Sequence, residues 1–206
     1  MSSYASLLRL LPHHVADLAR SGLSHTTIEL WGCYSIESDQ KSVLSQLGCG
    51  HIKPPALALP IIPPDYTKPD LNFVMLKPDY PRRDGRGRVV KYEARPKSRN
   101  RIHVPLSIRH LLGDVEAPLV ITEGQKKAEK AAQEGICCIA LAGVWNWLDR
   151  VGDSSFPISD FELLPLARRR IVLCFDSDAA SNENVRRAER DLAGFLKRRF
   201  DANGLH

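Results

Sequence analysis

The sequence predicts an α/β protein with a mostly parallel sheet and helices on both faces. Apolar runs of strand length alternate with helical patterns in the C-terminal half, which is typical of strand–helix–strand folds. Two of the runs end in acidic residues, and the carboxyl ends of parallel strands form the edge where such sheets bind ligands. The alternating segments are Leu119–Thr122, Gln125–Glu134, Ile136–Leu141, Ile171–Phe175 and Glu183–Phe200.

The N-terminal part predicts a small helical segment over residues 1–52. Its helices are expected at Pro12–Arg20, Ser24–Trp31 and Ser38–Leu47, and they stop at Gly22, Gly32 and Gly48. Six prolines within Lys53–Pro69 then disfavour a helix and favour one extended segment. We place a proline-rich link and a basic β-hairpin subdomain in residues 53–115, and the α/β domain in residues 116–206.

The hairpin is predicted from Asn72–Lys77 and Arg88–Glu93, with turn residues at 84–87 between them. Basic side chains, with Tyr92 among them, crowd this region, as a groove for a single nucleic-acid strand requires, although a solvated hairpin carries similar residues. The candidate nucleic-acid or nucleotide contacts are Arg82, Arg83, Lys91, Tyr92, Arg95, Lys97, Arg99 and Arg101.

Composition narrows the function classes. The 206 residues are 43% hydrophobic with a net charge of +5, enough for a real core. No apolar run is long enough to span a bilayer and no signal-peptide pattern opens the chain, so we expect a cytoplasmic protein with no membrane partner. Five irregularly spaced cysteines predict reduced thiols; Cys33, Cys49 and His51 fit no zinc-ribbon spacing, and no zinc is expected. A phosphate-binding Gly-x-x-x-x-Gly-Lys motif is absent, which excludes a helicase or ATPase.

The acidic residues after the two strands are the strongest site signal. Glu123 follows one apolar strand, and Asp176 and Asp178 follow another. Acids at the ends of neighbouring parallel strands converge, and side chains two apart on an extended segment point the same way. Three such carboxylates repel each other unless a cation neutralises them, and oxygen-only ligands suit Mg²⁺, with Mn²⁺ as the other option.

These segments resemble the Toprim domain. The likeness is carried by Ile121–Gly124, by Gly135–Gly143 and by Phe175–Ala179, and more broadly by Lys91–Glu93 and Gly143–Trp147. The Toprim domain is a Rossmann-like fold shared by DnaG-type primases, topoisomerases and certain nucleases. The chain from about residue 10 onward resembles the Toprim-like domain of primase-like replication proteins from plasmids, phages and other mobile elements.

The resemblance implies an activity and its residues. Glu123 would be the general acid or base, and Asp176 and Asp178 the metal ligands, with Glu123 joining both the catalytic and the metal-binding set. The implied function is a primase-like nucleotidyltransferase that makes primers on single-stranded DNA from nucleoside triphosphates, with a replicative helicase as a further partner. A metal-dependent Toprim nuclease and a noncatalytic nucleic-acid-binding replication module are the alternatives.

The chain also departs from the family pattern. Lys126 and Lys127 stand where classical primases have an acidic residue; at the start of a helix they would meet phosphate or form a solvated helix face. The chain stops just past Gly204, where a Toprim domain continues into another strand, so a fragment or a reduced domain is expected. Trp145 and Trp147 would either stack on a base or anchor their loop.

Overall fold

The structure is a computed structural model that describes residues 9–70, 72–175 and 182–204. The chain divides into two compact units. The first comprises the described part of Met1–Ile61 together with Pro69–Ser98, and the second comprises Ile62–Lys68 together with the described part of Arg99–His206. None of the described helices is long and apolar enough to cross a membrane.

The first unit combines three helices with a four-stranded antiparallel sheet of order β1-β2-β3-β4. Its elements are α1 (Pro12–Arg20), α2 (His25–Trp31), β1 (Tyr34–Ile36), α3 (Lys41–Gln46), β2 (Ala56–Pro60), β3 (Val74–Pro78) and β4 (Glu93–Ala94). The central strand β2 is buried along its whole length, which explains its continuous apolar sequence. The Trp31 indole N–H donates to the Pro60 carbonyl at 2.8 Å and ties α2 to the end of β2.

Local sequence signals set the boundaries of α1 and α2. Pro12 occupies the first turn of α1, where a missing N–H costs no hydrogen bond. The Ser24 side chain caps α2 by accepting the Thr27 N–H at 3.2 Å. Gly32 ends α2 with a left-handed φ of 78°, which glycine adopts without strain.

The second unit contains a three-stranded parallel sheet of order β6-β5-β9. Its elements are β5 (Leu119–Glu123), α4 (Gln125–Gln133), β6 (Cys138–Leu141), β7 (Leu148–Val151), β8 (Ser154–Pro157), β9 (Ile171–Cys174) and α5 (Glu183–Phe200), with 3-10 helices at Leu106–Leu111 and Ser159–Leu163. Alternate residues of β5 face different layers. Ile121 belongs to the core that holds Leu192 of α5, whereas Val120 packs against the cluster that holds Ala128 of α4. This arrangement confirms the predicted α/β fold with helices on both faces of a parallel sheet.

The sheet extends beyond its three named strands at both edges. His103 pairs with Ala140 in an antiparallel bridge next to β6, with backbone hydrogen bonds of 2.8 and 2.9 Å. On the other edge, Asn203 forms a parallel bridge with Arg170, and its carbonyl accepts the Ile171 N–H at 2.8 Å. The domain boundaries, and the expectation that the domain lacks its last strand, stay predictions.

The predicted basic hairpin forms only in part. Strands β3 and β4 are antiparallel, with Met75 paired to Ala94 and Leu76 paired to Glu93. Most of the predicted strand Arg88–Glu93 lies outside a regular strand. Residues 82–97, which we name the basic arm, contain a tight turn in which Arg83 pairs with Val89. The Asp84 carboxylate accepts the backbone N–H groups of Arg86 and Arg88 and so closes this turn.

Candidate functional site

The carboxyl ends of the three parallel strands lie at one edge of the second unit. The register pairs Thr122 with Cys174 and Glu123 with Leu141, so the three strands end at nearly the same level. Glu123 is half-buried at this edge. Asp176 and Asp178 lie outside the described residues, and the chain that leads to them leaves β9 beside Glu123.

Two interactions fix the backbone around Glu123. The Thr122 hydroxyl donates a 2.7 Å hydrogen bond to the Cys174 carbonyl and so joins the ends of β5 and β9. Gly124 donates its N–H to the Leu141 carbonyl at 2.8 Å and joins β5 to β6. Gly124 has a φ of 83°, and a Cβ added there would meet no atom within 4 Å, so the backbone angle rather than lack of space requires glycine.

Helix α4 begins directly after Glu123 and Gly124. Lys126 is half-buried and Lys127 is exposed in its first turn, next to the edge where β5 ends. Amide groups and lysines at the start of a helix favour bound anions. The two lysines lie three and four positions after Glu123, at this end of the sheet, and their role in phosphate binding stays a prediction.

A buried histidine–glutamate pair joins α4 to the segment beside β6, and sequence reasoning missed it. His103 is 1% exposed and its Nε2 lies 3.0 Å from Oε1 of Glu129, which is 2% exposed. Because the Ile62 backbone N–H donates to Nδ1 at 3.1 Å, the ring proton is on Nε2 and is donated to Glu129. No local sequence signal connects these side chains, which are 26 positions apart.

Trp145 and Trp147 differ in environment. Trp147 is 6% exposed and stacks on Phe195 of α5 with ring centroids 5.6 Å apart, which favours the anchoring interpretation for this side chain. The half-buried Trp145 packs against the same core and donates its indole N–H to Asn184 at 3.1 Å. Both rings thus hold the segment after β6 against α5.

In the first unit, Glu93 organises one side of the basic arm. Its Oε2 accepts hydrogen bonds from Nε of Arg82 at 2.9 Å and from Nε2 of His51 at 2.8 Å. Burial works to raise the pKa of the Glu93 carboxyl, but the hydrogen bonds from His51 and Arg82 outweigh burial and lower that pKa below its ordinary value. Arg82 is therefore held in place by an internal ion pair while half of its side chain stays exposed.

Other cations of the basic arm are exposed. Lys91, Arg95 and Lys97 form no ion pair with any carboxylate in the described parts of the chain, and Tyr92 is 44% exposed beside them. Arg83 donates to the Gly87 carbonyl at 2.7 Å and also stays exposed. Exposed cations next to an exposed aromatic ring suit contact with a nucleic-acid backbone and its bases.

The remaining predicted contacts belong to the second unit. Arg99 is exposed. Arg101 instead forms internal ion pairs, with Asp160 at 2.8 and 3.0 Å and with Asp65 at 2.5 Å. Burial raises the pKa of Asp160, and the hydrogen bonds from Arg101 and the Ile102 N–H offset only part of that rise. The guanidinium of Arg101 thus holds three segments of this unit together.

The five cysteines are free thiols, four of them buried, whereas Cys174 at the end of β9 is exposed. The pKa of Cys138 is raised by burial to about 12, so this thiol is unreactive at neutral pH. Cys33, Cys49 and His51 form no metal-ligand group among the residues that the structure describes, and His51 bonds to Glu93 instead.

The fold is similar to that of primase catalytic cores. The RNA polymerase domain of Mycobacterium tuberculosis primase DnaG aligns with a TM-score of 0.59 and 14% identity, over 92% of this chain and 66% of that one. The same domain in complex with a double-stranded DNA oligomer with a 6-nucleotide overhang aligns with a TM-score of 0.58 and 14% identity, over 90% of this chain and 64% of that one. The zinc-binding and RNA polymerase domains of Aquifex aeolicus primase align with a TM-score of 0.56 and 13% identity, over 90% of this chain and 47% of that one.

Sequence comparisons add a domain family and one relative. Residues 109–202 match the model of a domain of unknown function, DUF3854. An uncharacterized protein of Picosynechococcus sp. is 36% identical over 76 residues, which cover 33% of this chain and 8% of that protein. The chain therefore spans about half to two thirds of the similar primase structures and a small part of that relative. These similarities show a shared fold.

Proposed function

We propose that this chain is a primase-like nucleotidyltransferase core with a magnesium site of the Toprim type. One observation carries the proposal: the parallel pairing of β5 and β9 brings Glu123 to the sheet edge from which the chain continues to Asp176 and Asp178. The primase-core fold supports the same assignment. A setting in the cytoplasm, in replication of a plasmid or mobile element with a replicative helicase, belongs to this proposal.

The donor set fits a hard divalent cation. Glu123, Asp176 and Asp178 offer carboxylate oxygens only, and Glu123 is half-buried at an open edge where water and phosphate oxygens can complete the coordination. Bound Mg²⁺ or Mn²⁺ supplies charge neutralisation at the phosphate groups. The Thr122–Cys174 hydrogen bond keeps together the ends of β5 and β9, the two strands that the proposed ligands follow in the sequence.

In the proposed reaction, Glu123 assists proton transfer. The hydroxyl of one nucleotide attacks the α-phosphorus of a nucleoside triphosphate, a new P–O bond forms, and pyrophosphate leaves with the electrons of the broken bond. The hydroxyl proton passes to the Glu123 carboxylate. Asp176 and Asp178 would hold the metal, and Lys126 and Lys127 offer positive charge to the phosphates of the incoming triphosphate.

Primer synthesis tests the proposal directly. The chain is given single-stranded template, labelled nucleoside triphosphates and Mg²⁺ or Mn²⁺, and oligonucleotides are resolved on a gel. We expect metal-dependent products, and a loss of at least about 100-fold in Glu123→Gln and Asp176→Asn. Glu116→Gln is the matched control, because this exposed glutamate precedes β5 at the opposite edge of the sheet.

The same reactions separate the alternatives. Metal-dependent shortening of labelled DNA, lost in Asp176→Asn, would assign the chain to the nucleases. Template binding without synthesis or cleavage, unchanged in Glu123→Gln, would make it a noncatalytic replication module. Either result contradicts the nucleotidyltransferase proposal.

The basic arm is proposed to bind the template. Binding is measured as a function of salt for wild type and for the triple variant Lys91→Ala, Arg95→Ala, Lys97→Ala, and the slope of log K against log salt should become shallower by about 2. The control removes three arginines of α5 that the structure shows in ion pairs with acidic residues, namely Arg186, Arg187 and Arg190. Equal loss of slope in both variants would refute a specific role of the basic arm.

A further inference from the structure

Two histidines and one aspartate converge in the first unit, and none of them belongs to the carboxylate edge of the second. Nε2 of His13 lies 2.7 Å from Oδ2 of Asp79, and Nε2 of His14 lies 2.8 Å from Oδ1 of the same carboxylate. The histidines come from the first turn of α1, and Asp79 follows the last residue of β3. Their donor atoms all lie within 4.8 Å of one another, and they form the one such group among the described residues.

The His14 ring is oriented by a second layer of contacts. His14 is 3% exposed, and its Nδ1 lies 2.7 Å from the Ser35 hydroxyl oxygen. The same oxygen accepts the Leu11 N–H at 2.8 Å. A hydroxyl has two lone pairs, so Ser35 can accept from both Leu11 and a protonated Nδ1. Without a metal, Nε2 donates its proton to Asp79; with Nδ1 donating to Ser35, a bound metal would take the place of that Nε2 proton, as in metal-bound histidines.

The contacts of Ser35, His14 and Asp79 also resemble a nucleophilic triad, but the geometry argues against one. Ser35 is 2% exposed in β1, and its hydroxyl is occupied by the Leu11 N–H. A nucleophile without access to a substrate cannot act. By contrast, His13 has a 56% exposed side chain, so an ion has a path from solvent to the three converging donor atoms.

We propose that His13, His14 and Asp79 bind a divalent transition metal of the zinc class. Two imidazole nitrogens and one carboxylate oxygen suit Zn²⁺ and its neighbours rather than Mg²⁺, and three protein ligands leave a fourth tetrahedral position for water. With metal–ligand bonds of about 2.1 Å in a tetrahedral site, ligand atoms stand about 3.4 Å apart, so the 2.7 and 2.8 Å distances from the histidine nitrogens to the Asp79 carboxylate would lengthen by about 0.6 Å.

This metal would connect α1 to the end of β3. Asp79 lies three residues before Arg82, where the basic arm begins, so the bound metal would also hold the start of that arm in place. The site shares no residue with the proposed magnesium centre. The proposed transition-metal site is therefore independent of the nucleotidyltransferase proposal, and a test of one does not decide the other.

Cobalt substitution tests the site on the full, untagged chain. The protein is stripped with EDTA, returned to millimolar Mg²⁺ to saturate the carboxylate centre, and titrated with Co²⁺ while visible d–d absorption and bound metal are measured. We expect one high-affinity Co²⁺ per chain, displaced by one Zn²⁺. His13→Ala should weaken binding by more than about 100-fold, and Ser35→Ala by about 10- to 100-fold.

The controls make the outcome decisive. His25→Ala should bind Co²⁺ like wild type, because His25 is an exposed residue of α2 that contacts Glu29 instead. His13 is exposed, so His13→Ala should retain the fold by circular dichroism even if a change at the buried His14 does not. Absence of the Co²⁺ spectrum in wild type, or unchanged affinity in both His13→Ala and Asp79→Asn, overturns the proposal.

Discussion

Replacing Thr122 by valine should loosen the edge of the parallel sheet. Valine keeps the β-branched shape and strand preference of threonine but removes the hydroxyl that donates to the Cys174 carbonyl at 2.7 Å. Thr122 is 4% exposed, so water cannot readily replace the lost donor. The loss of this part-buried hydrogen bond, which leaves the Cys174 carbonyl without the Thr122 donor, should cost about 1–3 kcal/mol.

Amide hydrogen exchange measures this cost locally. Peptides that cover β5 and β9 should exchange roughly 5- to 150-fold faster in Thr122→Val, because about 1.4 kcal/mol corresponds to a factor of ten in the opening equilibrium. Peptides from β2 in the first unit serve as an internal reference. Thr122→Ser should exchange more nearly like wild type, since it keeps the hydroxyl.

The matched control is Thr67→Val, the same chemical change at an exposed position of the second unit. Thr122→Val exchanging no faster than Thr67→Val would refute the assignment of this bond as the link between the two strand ends. If the link also preorganises the proposed metal ligands, Mg²⁺ should bind Thr122→Val more weakly than Thr67→Val.

Three other substitutions have defined outcomes. Because the pKa of Glu93 is lower in the folded state, the unfolded chain binds more protons at acidic pH. The urea midpoint of wild type should therefore fall as the pH drops from about 4.5 through the lower folded pKa. A difference in urea midpoint between wild type and Glu93→Gln that does not change with pH would contradict this. Arg169→Met should lower the free energy of unfolding in urea by about 2–4 kcal/mol, because the fully buried guanidinium donates hydrogen bonds to backbone carbonyls. Arg168→Met, at an exposed position, should change it little. Trp147→Ala should cost about 3–5 kcal/mol, and an unchanged midpoint would argue against its anchoring role.

Elements with strong local signals were predictable from the sequence. Helix α5 has the predicted bounds Glu183–Phe200, because one apolar face repeats at helical spacing over its whole length. Helix α2 follows from its serine cap and terminal glycine. The placement of Glu123 at the end of a buried strand is likewise visible in the sequence, since an apolar run stops there.

Other elements carry no such signal. The hairpin β7–β8 was not predicted, because all four residues of β8 are exposed and show no apolar alternation. Helix α3 is shorter than the predicted Ser38–Leu47 and begins only at Lys41. Strand β4 has two residues, because the basic arm turns through Asp84 instead of continuing the ladder.

Interactions between distant segments were the least predictable. Arg169 lies in a run of three arginines, yet it is fully buried and donates to the Ala117 and Leu112 carbonyls more than fifty positions away in the chain. His14 and Asp79 are 65 positions apart and meet only when α1 packs beside β3. Periodicity and capping describe neighbours along the chain, so they contain no information on such encounters.

The single tautomer of His103 provides a spectroscopic probe of the second unit. Its Nε2 proton is enclosed between the ring and Glu129, while Ile62 occupies the other nitrogen. An enclosed imidazole N–H exchanges slowly enough with water to give a resolved ¹⁵N-correlated signal, whereas an exposed one is lost to exchange. That resonance should persist while α4 stays seated and vanish when it opens, so one nucleus would report whether template or nucleotide tightens the helix that follows Glu123.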